Sequence, residues 1–169
     1  DLAVGANQYD SYRGRAYVFY NDGSIPTSAS NADVIITGTG TNYRFGEFMI
    51  SGDLNADGKT DLVVSEISYG TGYGRAYIFY GSTSLTAAIA ASSADVIIAG
   101  EESSYFGNSM AVGDFNADGR TDLAVAAKDY AVGTAGHGKV YIFYNDGSIP
   151  TSAASADVNI DGESGNYYY

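Results

Sequence analysis

The sequence predicts an all-β chain of β-propeller blades, each made of four antiparallel strands, with about three repeats that form part of a larger ring. Three observations carry this. Blocks of sequence return at roughly sixty residues, a period that marks solenoids, propellers or arrays. Each period holds four short β-prone segments bounded by turn residues, which is the strand count of a propeller blade. The composition, with 22 Gly, 16 Tyr and 2 Pro in 169 residues, suits short strands and tight turns, not helices.

The elements follow in order. DLAVGA at 1–6 aligns with DLVVSE at 61–66 and DLAVAA at 122–127. GRAYVFY at 14–20 aligns with GRAYIFY at 74–80 and GKVYIFY at 138–144. ADVIITG at 32–38 aligns with ADVIIAG at 94–100 and ADVNIDG at 156–162, and Phe45-Gly46 aligns with Phe106-Gly107. Within one period the expected strands are Phe45 to Gly52, Asp61 to Ser65, Arg75 to Tyr80 and Asp95 to Ile98. The Tyr-Val/Ile-Phe-Tyr strand is apolar on both faces, as a strand between two neighbouring blades must be. The Ala-rich stretch Thr86 to Ser92 is long enough for one or two helical turns at most. The expected units are 1–44 as a partial blade with strands 2 to 4, 45–105 as a complete blade, and 106–169 as a complete blade plus the start of the next inner strand.

Between the first two strands of each complete repeat lies an acidic loop, DLNADGKTDL at 53–62 and DFNADGRTDL at 114–123. Its positions 1, 3, 5 and 9 are Asp53, Asn55, Asp57 and Asp61, then Asp114, Asn116, Asp118 and Asp122. Position 7, Lys59 or Arg120, offers its backbone carbonyl. Alternate residues of a tight loop can turn hard oxygen ligands toward one point, which suits Ca²⁺. Gly58 and Gly119 stand where the loop must bend sharply. The pattern shares the first half of an EF-hand loop. Position 12, however, is Val64 or Val125 where an EF-hand needs Glu, and a buried strand follows instead of a helix. The expected cofactor is therefore Ca²⁺ in two β–loop–β sites. Its principal role would be to pin strand 1 to strand 2 by turning carboxylate repulsion into coordination.

The net charge is −12 and there is no cysteine. That charge argues against nucleic acid and anionic membrane surfaces as partners, and the fold uses no disulfide. No apolar run approaches the ~18 residues of a membrane span, so membrane insertion is not expected. The chain begins at Asp1 without a visible leader and reads as a mature form or a fragment. His137 stands alone between Gly136 and Gly138, with no recognisable nucleophile, and reads as a loop residue. The adjacent Glu101 and Glu102 read as a solvated turn, so no catalytic residue is expected. NDGSIPTSA at 21–29 returns unchanged at 145–153, a duplicated surface loop and not a site.

The Phe-Gly pair, the Gly-Asp-x-Asn-x-Asp-Gly-x-x-Asp-Leu loop and the Gly-x-x-Tyr-Ile-Phe strand resemble, in that order, the FG-GAP repeats of integrin α-subunit β-propellers and their bacterial relatives. The chain departs from that family in the Gly-Ala-Pro signature, which is Gly5-Ala6-Asn7, Ser65-Glu66-Ile67 and Ala126-Ala127-Lys128 here. The resemblance implies that strand 1 lines a central channel and that loops 1–2 and 3–4 share the calcium face. Loops 2–3 and 4–1 then share the opposite face. The 2–3 loops vary most, and binding usually sits on variable loops over a constant scaffold. Tyr69, Tyr73 and Tyr130 are the leading candidates to contact a ligand, with Tyr9 and Tyr12 behind them.

The functional expectation is a calcium-stabilised, non-enzymatic, extracellular or cell-surface module that binds protein or glycan. Sites of the affinity seen in extracellular modules fill outside cells and stay largely empty in cytosol. The alternatives are a structural protein of a surface array and an accessory domain of a secreted enzyme. Asn166–Tyr169 aligns with Asn42–Phe45, so the chain stops where an inner strand should start, and Asp1 aligns with the last residue of an acidic loop. Terminal blades would expose apolar sides and open edges. The chain is therefore expected to be a piece of a longer propeller, or to complete a ring with further copies or another chain.

Overall fold

Alternating apolar residues pair into three four-stranded sheets in the computed structural model, which describes residues 1–81, 87–101, 104–132 and 135–163. The first sheet contains β1 (Leu2–Ala6), β2 (Arg15–Phe19) and β3 (Val34–Thr37). The second contains β4 (Phe45–Gly52), β5 (Asp61–Glu66) and β6 (Arg75–Phe79). Between its third and fourth strands lies β7 (Ala88–Ala90), which joins the first sheet instead, and β8 (Val96–Ala99) closes the second. The third contains β9 (Phe106–Gly113), β10 (Asp122–Ala127), β13 (Lys139–Phe143) and β14 (Val158–Asp161). A small hairpin, β11 (Ala131–Val132) with β12 (Ala135–Gly136), caps its 2–3 loop.

Neighbours within each repeat pair antiparallel, and the register is the same in all three sheets. Val4 faces Tyr17, Val64 faces Tyr77 and Val125 faces Tyr141. The innermost described strands adjoin in succession, β1 against β4 and β4 against β9. The sheets are thus propeller blades, and the described residues do not close a ring. Asn166–Tyr169, whose alignment suggests a next inner strand, lies outside the described residues.

The core lies between blades, not within them. Alternate residues of β6 serve opposite sides. Tyr77 and Phe79 join Ala16, Val18, Val34 and Ile36 of the first blade, while Ala76 and Ile78 join Tyr141 and Phe143 of the third. This is what a strand apolar on both faces builds, because side chains alternate sides along a strand. The valines, isoleucines and phenylalanines among them each contribute about 1.5–3 kcal/mol on full burial, and the contribution depends on the next blade being there.

The Phe-Gly pair makes the blade junction. Phe45 and Phe106 are fully buried, and each bridges in parallel to the glycine that opens the preceding repeat's third strand, Gly14 and Gly74. Gly74 has φ +74°, and a Cβ there would lie 2.2 Å from the Phe106 carbonyl oxygen. Only glycine permits both the left-handed backbone and that approach. Beside the pair, the β4–β5 and β9–β10 ladders both slip register, as at a β-bulge.

The stretch Thr86 to Ser92, long enough for one or two helical turns at most, holds no α-helix among its described residues. Its described part forms β7, parallel to β3 with Ile36 opposite Ile89, and then a single 3₁₀ turn at Ala91–Ser93. The alanines there are small enough to lie flat on a neighbouring blade, and pairing with that blade outweighs their helix preference. Glu101 is not simply a solvated turn. It accepts a hydrogen bond from the buried Tyr141 hydroxyl and lies 3.9 Å from the Lys139 ammonium. Glu102 lies outside the described residues.

Candidate functional site

Both acidic loops fold the same way, because the same short-range hydrogen bonds define them. Asp53 accepts from the backbone N–H of Asp57 at 3.1 Å and of Gly58 at 2.9 Å. Asp114 accepts from Asp118 at 3.0 Å and Gly119 at 2.9 Å. Asn55 and Asn116 each accept from the residue two ahead at 3.0 Å, and Asp57 and Asp118 do so at 2.8 Å. These are nested Asx turns. They hold Ala56 and Ala117 at φ 58° and 61°, and Gly58 and Gly119 at φ 80° and 85°.

The last aspartate of each loop is a buried clamp. Asp61 accepts from Leu54 N–H at 2.7 Å and from Gly81 N–H at 2.8 Å, so one carboxylate ties the loop to the end of the third strand. Asp122 does the same with Phe115 at 2.8 Å and Asn145 at 2.9 Å. The Asp61 carboxyl is held above its ordinary range, chiefly by burial. The N–H groups of Gly81 and Leu54 oppose this, and the neighbouring Asp57 and Asp53 reinforce it.

The donor chemistry of the loops fits a hard divalent cation. Every side-chain candidate in Asp53, Asn55, Asp57, Asp61, Asp114, Asn116, Asp118 and Asp122 offers oxygen, and Lys59 and Arg120 add backbone carbonyls. The carboxylates of one loop already repel each other, as Asp61 shows. Among the described residues, no three His, Cys, Asp or Glu side chains converge as a ready-made metal group. The carboxylates are instead turned onto backbone N–H groups of the loop and, for Asp61 and Asp122, of the end of the third strand as well.

The opposite face carries a concavity drawn from all three repeats. It is lined by Tyr12, Ile67, Ser68, Lys128 and Asp129 from the 2–3 loops and by Asn42, Arg44 and Tyr105 from the 4–1 loops. The Arg44 guanidinium lies 5.5 Å from the Tyr12 ring centre, and the Lys128 ammonium 5.1 Å from that of Tyr105. Tyr12, Asn42, Arg44 and Tyr105 all have positive φ. Such strain persists only where the surroundings enforce it, and it clusters at binding sites.

Of the tyrosines expected to contact a ligand, Tyr12 lines this concavity, whereas the leading candidates Tyr69, Tyr73 and Tyr130 do not. Tyr69 carries the Arg75 guanidinium 3.4 Å from its ring centre and packs on Tyr43. Tyr130 lies under the Lys139 ammonium at 3.8 Å and edge-on to buried Tyr141. Tyr73 is half-buried, and its carbonyl accepts from Phe106 N–H. Arg44, Tyr105 and Lys128 escape a reading based on loop tyrosines. The available signal is position, since Arg44 and Tyr105 each immediately precede a Phe-Gly pair. His137 lies between β12 and β13, its backbone N–H bound to the Tyr130 carbonyl.

Comparison with known proteins places these features. Over 108 residues, 60% of this chain, the sequence is 40% identical to the phosphatidylinositol-glycan-specific phospholipase D of Mus musculus. The Homo sapiens enzyme of that name is 37% identical over 110 residues. Integrin alpha-E of Mus musculus is 35% identical over 136 residues, 70% of this chain. The matched region covers only 13% of each phospholipase and 11% of the integrin. Residues 106–143 match the FG-GAP repeat profile. They run from the Phe-Gly pair through the acidic loop to the Tyr-Ile-Phe strand, and the second blade repeats that order at 45–79, so this is an FG-GAP repeat chain with integrin-like propeller blades.

Proposed function

We propose that this chain is a calcium-stabilised, non-catalytic recognition module that works outside the cell or at its surface. The observation that carries the reading is the two acidic loops. They share one backbone geometry and one all-oxygen donor set. Asp53, Asn55, Asp57 and the Lys59 carbonyl, with Asp61 behind them, would hold one Ca²⁺. Asp114, Asn116, Asp118, the Arg120 carbonyl and Asp122 would hold the other. Calcium would supply charge compensation that fixes each inner strand to its neighbour. A protein or glycan ligand would then be taken on the far face, where Arg44, Lys128, Tyr12 and Tyr105 border the concavity. Amphipathic aromatics beside cations suit such surfaces.

Calorimetric titration with CaCl₂ and thermal melts in Ca²⁺ and in chelator test the reading. At tenfold saturation each site adds about 1.4 kcal/mol. For two sites the melting temperature should rise by roughly 5–11 °C, at about 2–4 °C per kcal/mol for a chain of this size. Asp57→Ala and Asp118→Ala should each remove about half of that response. Identical melts in Ca²⁺ and chelator would refute the calcium reading. Arg44→Ala with Lys128→Ala should abolish ligand capture on a glycan array without altering the melt.

A second reading is an accessory domain of a larger secreted enzyme. The observation that favours it is the identity shared with part of a phospholipase specific for phosphatidylinositol-glycan. Sequence flanking this segment in its native gene decides between the two.

A further inference from the structure

We propose that the concavity opposite the acidic loops is a site for a carboxylated sugar, the acidic residue of a glycan. The inference rests on the recognition role proposed for that face and names its ligand class. A ligand carboxylate needs a cation that the fold has not already used. The chain has 8 Lys and Arg. Arg15, Arg75 and Lys139 stand at the same place in successive repeats. Each lies close over the ring of an equivalent tyrosine, at 3.8 Å from Tyr9, 3.4 Å from Tyr69 and 3.8 Å from Tyr130. A contact that returns in every blade belongs to the scaffold.

Arg44 and Lys128 differ in this respect. Arg44 stands where the next repeat has Tyr105, and Lys128 where the other repeats have Asn7 and Ile67. Their rings are farther away, at 5.5 Å and 5.1 Å. Neither cation has an ion pair among the described residues. Asp129, beside them, replaces Gln8 and Ser68 of the earlier repeats. One of its carboxylate oxygens is buried with no hydrogen-bond partner among the described residues. The repeat pattern requires none of these three side chains, so building blades does not account for them.

The concavity is fixed in shape. Arg44 N–H donates to the Tyr12 carbonyl at 2.8 Å, Tyr105 N–H to that of Gly72 at 2.8 Å, and Asp129 N–H to that of Ser104 at 3.3 Å. The 2–3 and 4–1 loops thus hold each other, which leaves little ordering for a ligand to impose. Both blade junctions it spans, first to second and second to third, are made within the described residues. Its volume is about 600 Å³, within the ~300–1,000 Å³ of small-ligand sites.

The charges select the ligand. Two cations and one carboxylate leave a single positive charge, which suits a monoanion. A guanidinium takes a carboxylate through two parallel N–H bonds. Asp129 calls for a donor on the same ligand, and a sugar hydroxyl supplies one. The rings of Tyr12 and Tyr105 add apolar surface for the C–H face of a sugar. An acidic peptide side chain lacks the hydroxyls, a sulfated chain brings several anions against Asp129, and a neutral sugar leaves both cations unused. The acidic loops do not oppose binding. The eight-residue inner strand β4 sets them about 26 Å away, beyond the ~10 Å screening length at 0.1 M salt.

Array capture and calorimetric titration of the full 169-residue chain in CaCl₂ test this. The probes are oligosaccharides ending in a uronic acid or a sialic acid, the methyl ester of each, their neutral counterparts, a sulfated oligosaccharide and an acidic peptide. At least one carboxylated sugar should bind, and which one assigns the source of the carboxylate. Its methyl ester should bind at least about tenfold more weakly. Arg44 and Lys128 are exposed, so Arg44→Gln and Lys128→Gln should keep the wild-type melt, and each should weaken the acid by a similar factor while leaving the ester unchanged. Asp129→Asn should raise capture of the sulfated probe. Equal binding of acid and ester, or preference for the neutral, sulfated or peptide probe, would overturn the ligand class and leave the recognition face standing. Capture of no probe at all would overturn both.

Discussion

A single buried carboxylate shows how much one residue decides in this fold. Glu66 is fully buried at the end of β5 and accepts three hydrogen bonds, from Thr39 N–H at 2.8 Å, the Thr39 hydroxyl at 2.7 Å and the Tyr77 hydroxyl at 2.6 Å. It thereby joins the 4–1 turn of the first blade to the core strand of the second. Glu66→Ala would strand those donors and should cost about 3 kcal/mol, lowering the melting temperature by roughly 6–12 °C. Tyr77→Phe removes one of the three bonds and should cost about 1 kcal/mol. Equal losses in the two variants would show that the carboxylate is not the hub. The phenols carry a pH signature as well. Burial first, then Glu66, pushes the Tyr77 hydroxyl well above its ordinary 10.0, and burial then Glu101 does the same for Tyr141. The folded chain keeps these protons where the unfolded chain releases them, so it is the folded state that binds more protons. Their contribution is full below pH 10 and is lost as the pH rises beyond it. In alkaline melts, Tyr141→Phe should flatten that decline.

At the scale of the element, the acidic loop does two jobs with different residues. Asp53, Asn55 and Asp57 shape the exposed turn, whereas Asp61 and Asp122 are buried and bind the loop to the far end of the third strand. The jobs separate by substitution. Asp61→Asn leaves one backbone N–H facing an amide NH₂ and should cost about 2 kcal/mol even in chelator. Asp57→Ala alters an exposed position and should lower the melt chiefly when Ca²⁺ is present. If Asp61→Asn is silent in chelator, the clamp contributes nothing of its own. The junction glycines act at this scale too. Gly74→Ala forces a Cβ within 2.2 Å of the Phe106 carbonyl oxygen at a left-handed backbone, so loss of soluble folded protein is expected in an expression and melting assay.

At the scale of the whole molecule, the governing quantities are charge and uncovered surface. Six of the 20 acidic side chains are gathered in two loops on one face, within a net charge of −12. Self-repulsion of that order is weakened by salt, since the screening length falls from about 30 Å at 0.01 M to about 3 Å at 1 M. In chelator, raising NaCl from low to high concentration should therefore raise the melting temperature by a few degrees. At constant ionic strength, Ca²⁺ should raise it further, because coordination acts at the loops and screening does not. A Ca²⁺ effect fully reproduced by matched NaCl would reduce calcium to a counterion.

The sequence by itself determined what depends on neighbours along the chain. The strands follow from alternation, the blades from the period, and the acidic turns from Asx residues that reach backbone N–H groups two to five positions ahead. All of these are local, so Asp53–Asp61 and Asp114–Asp122 fold alike wherever they stand. Tertiary structure alone decided what depends on the adjacent blade. It set Tyr77 and Tyr141 in the core against Glu66 and Glu101, and laid Ala88–Ala90 as a parallel strand on β3. It also took Tyr69 and Tyr130 into cation contacts and brought Arg44, Tyr105 and Lys128 together from three loops distant in sequence. The nonapeptide at 21–29 and 145–153 states the limit most plainly. Within identical residues Ile25 is bare and Ile149 is buried, because burial belongs to the surface that comes to meet a side chain and not to the segment itself.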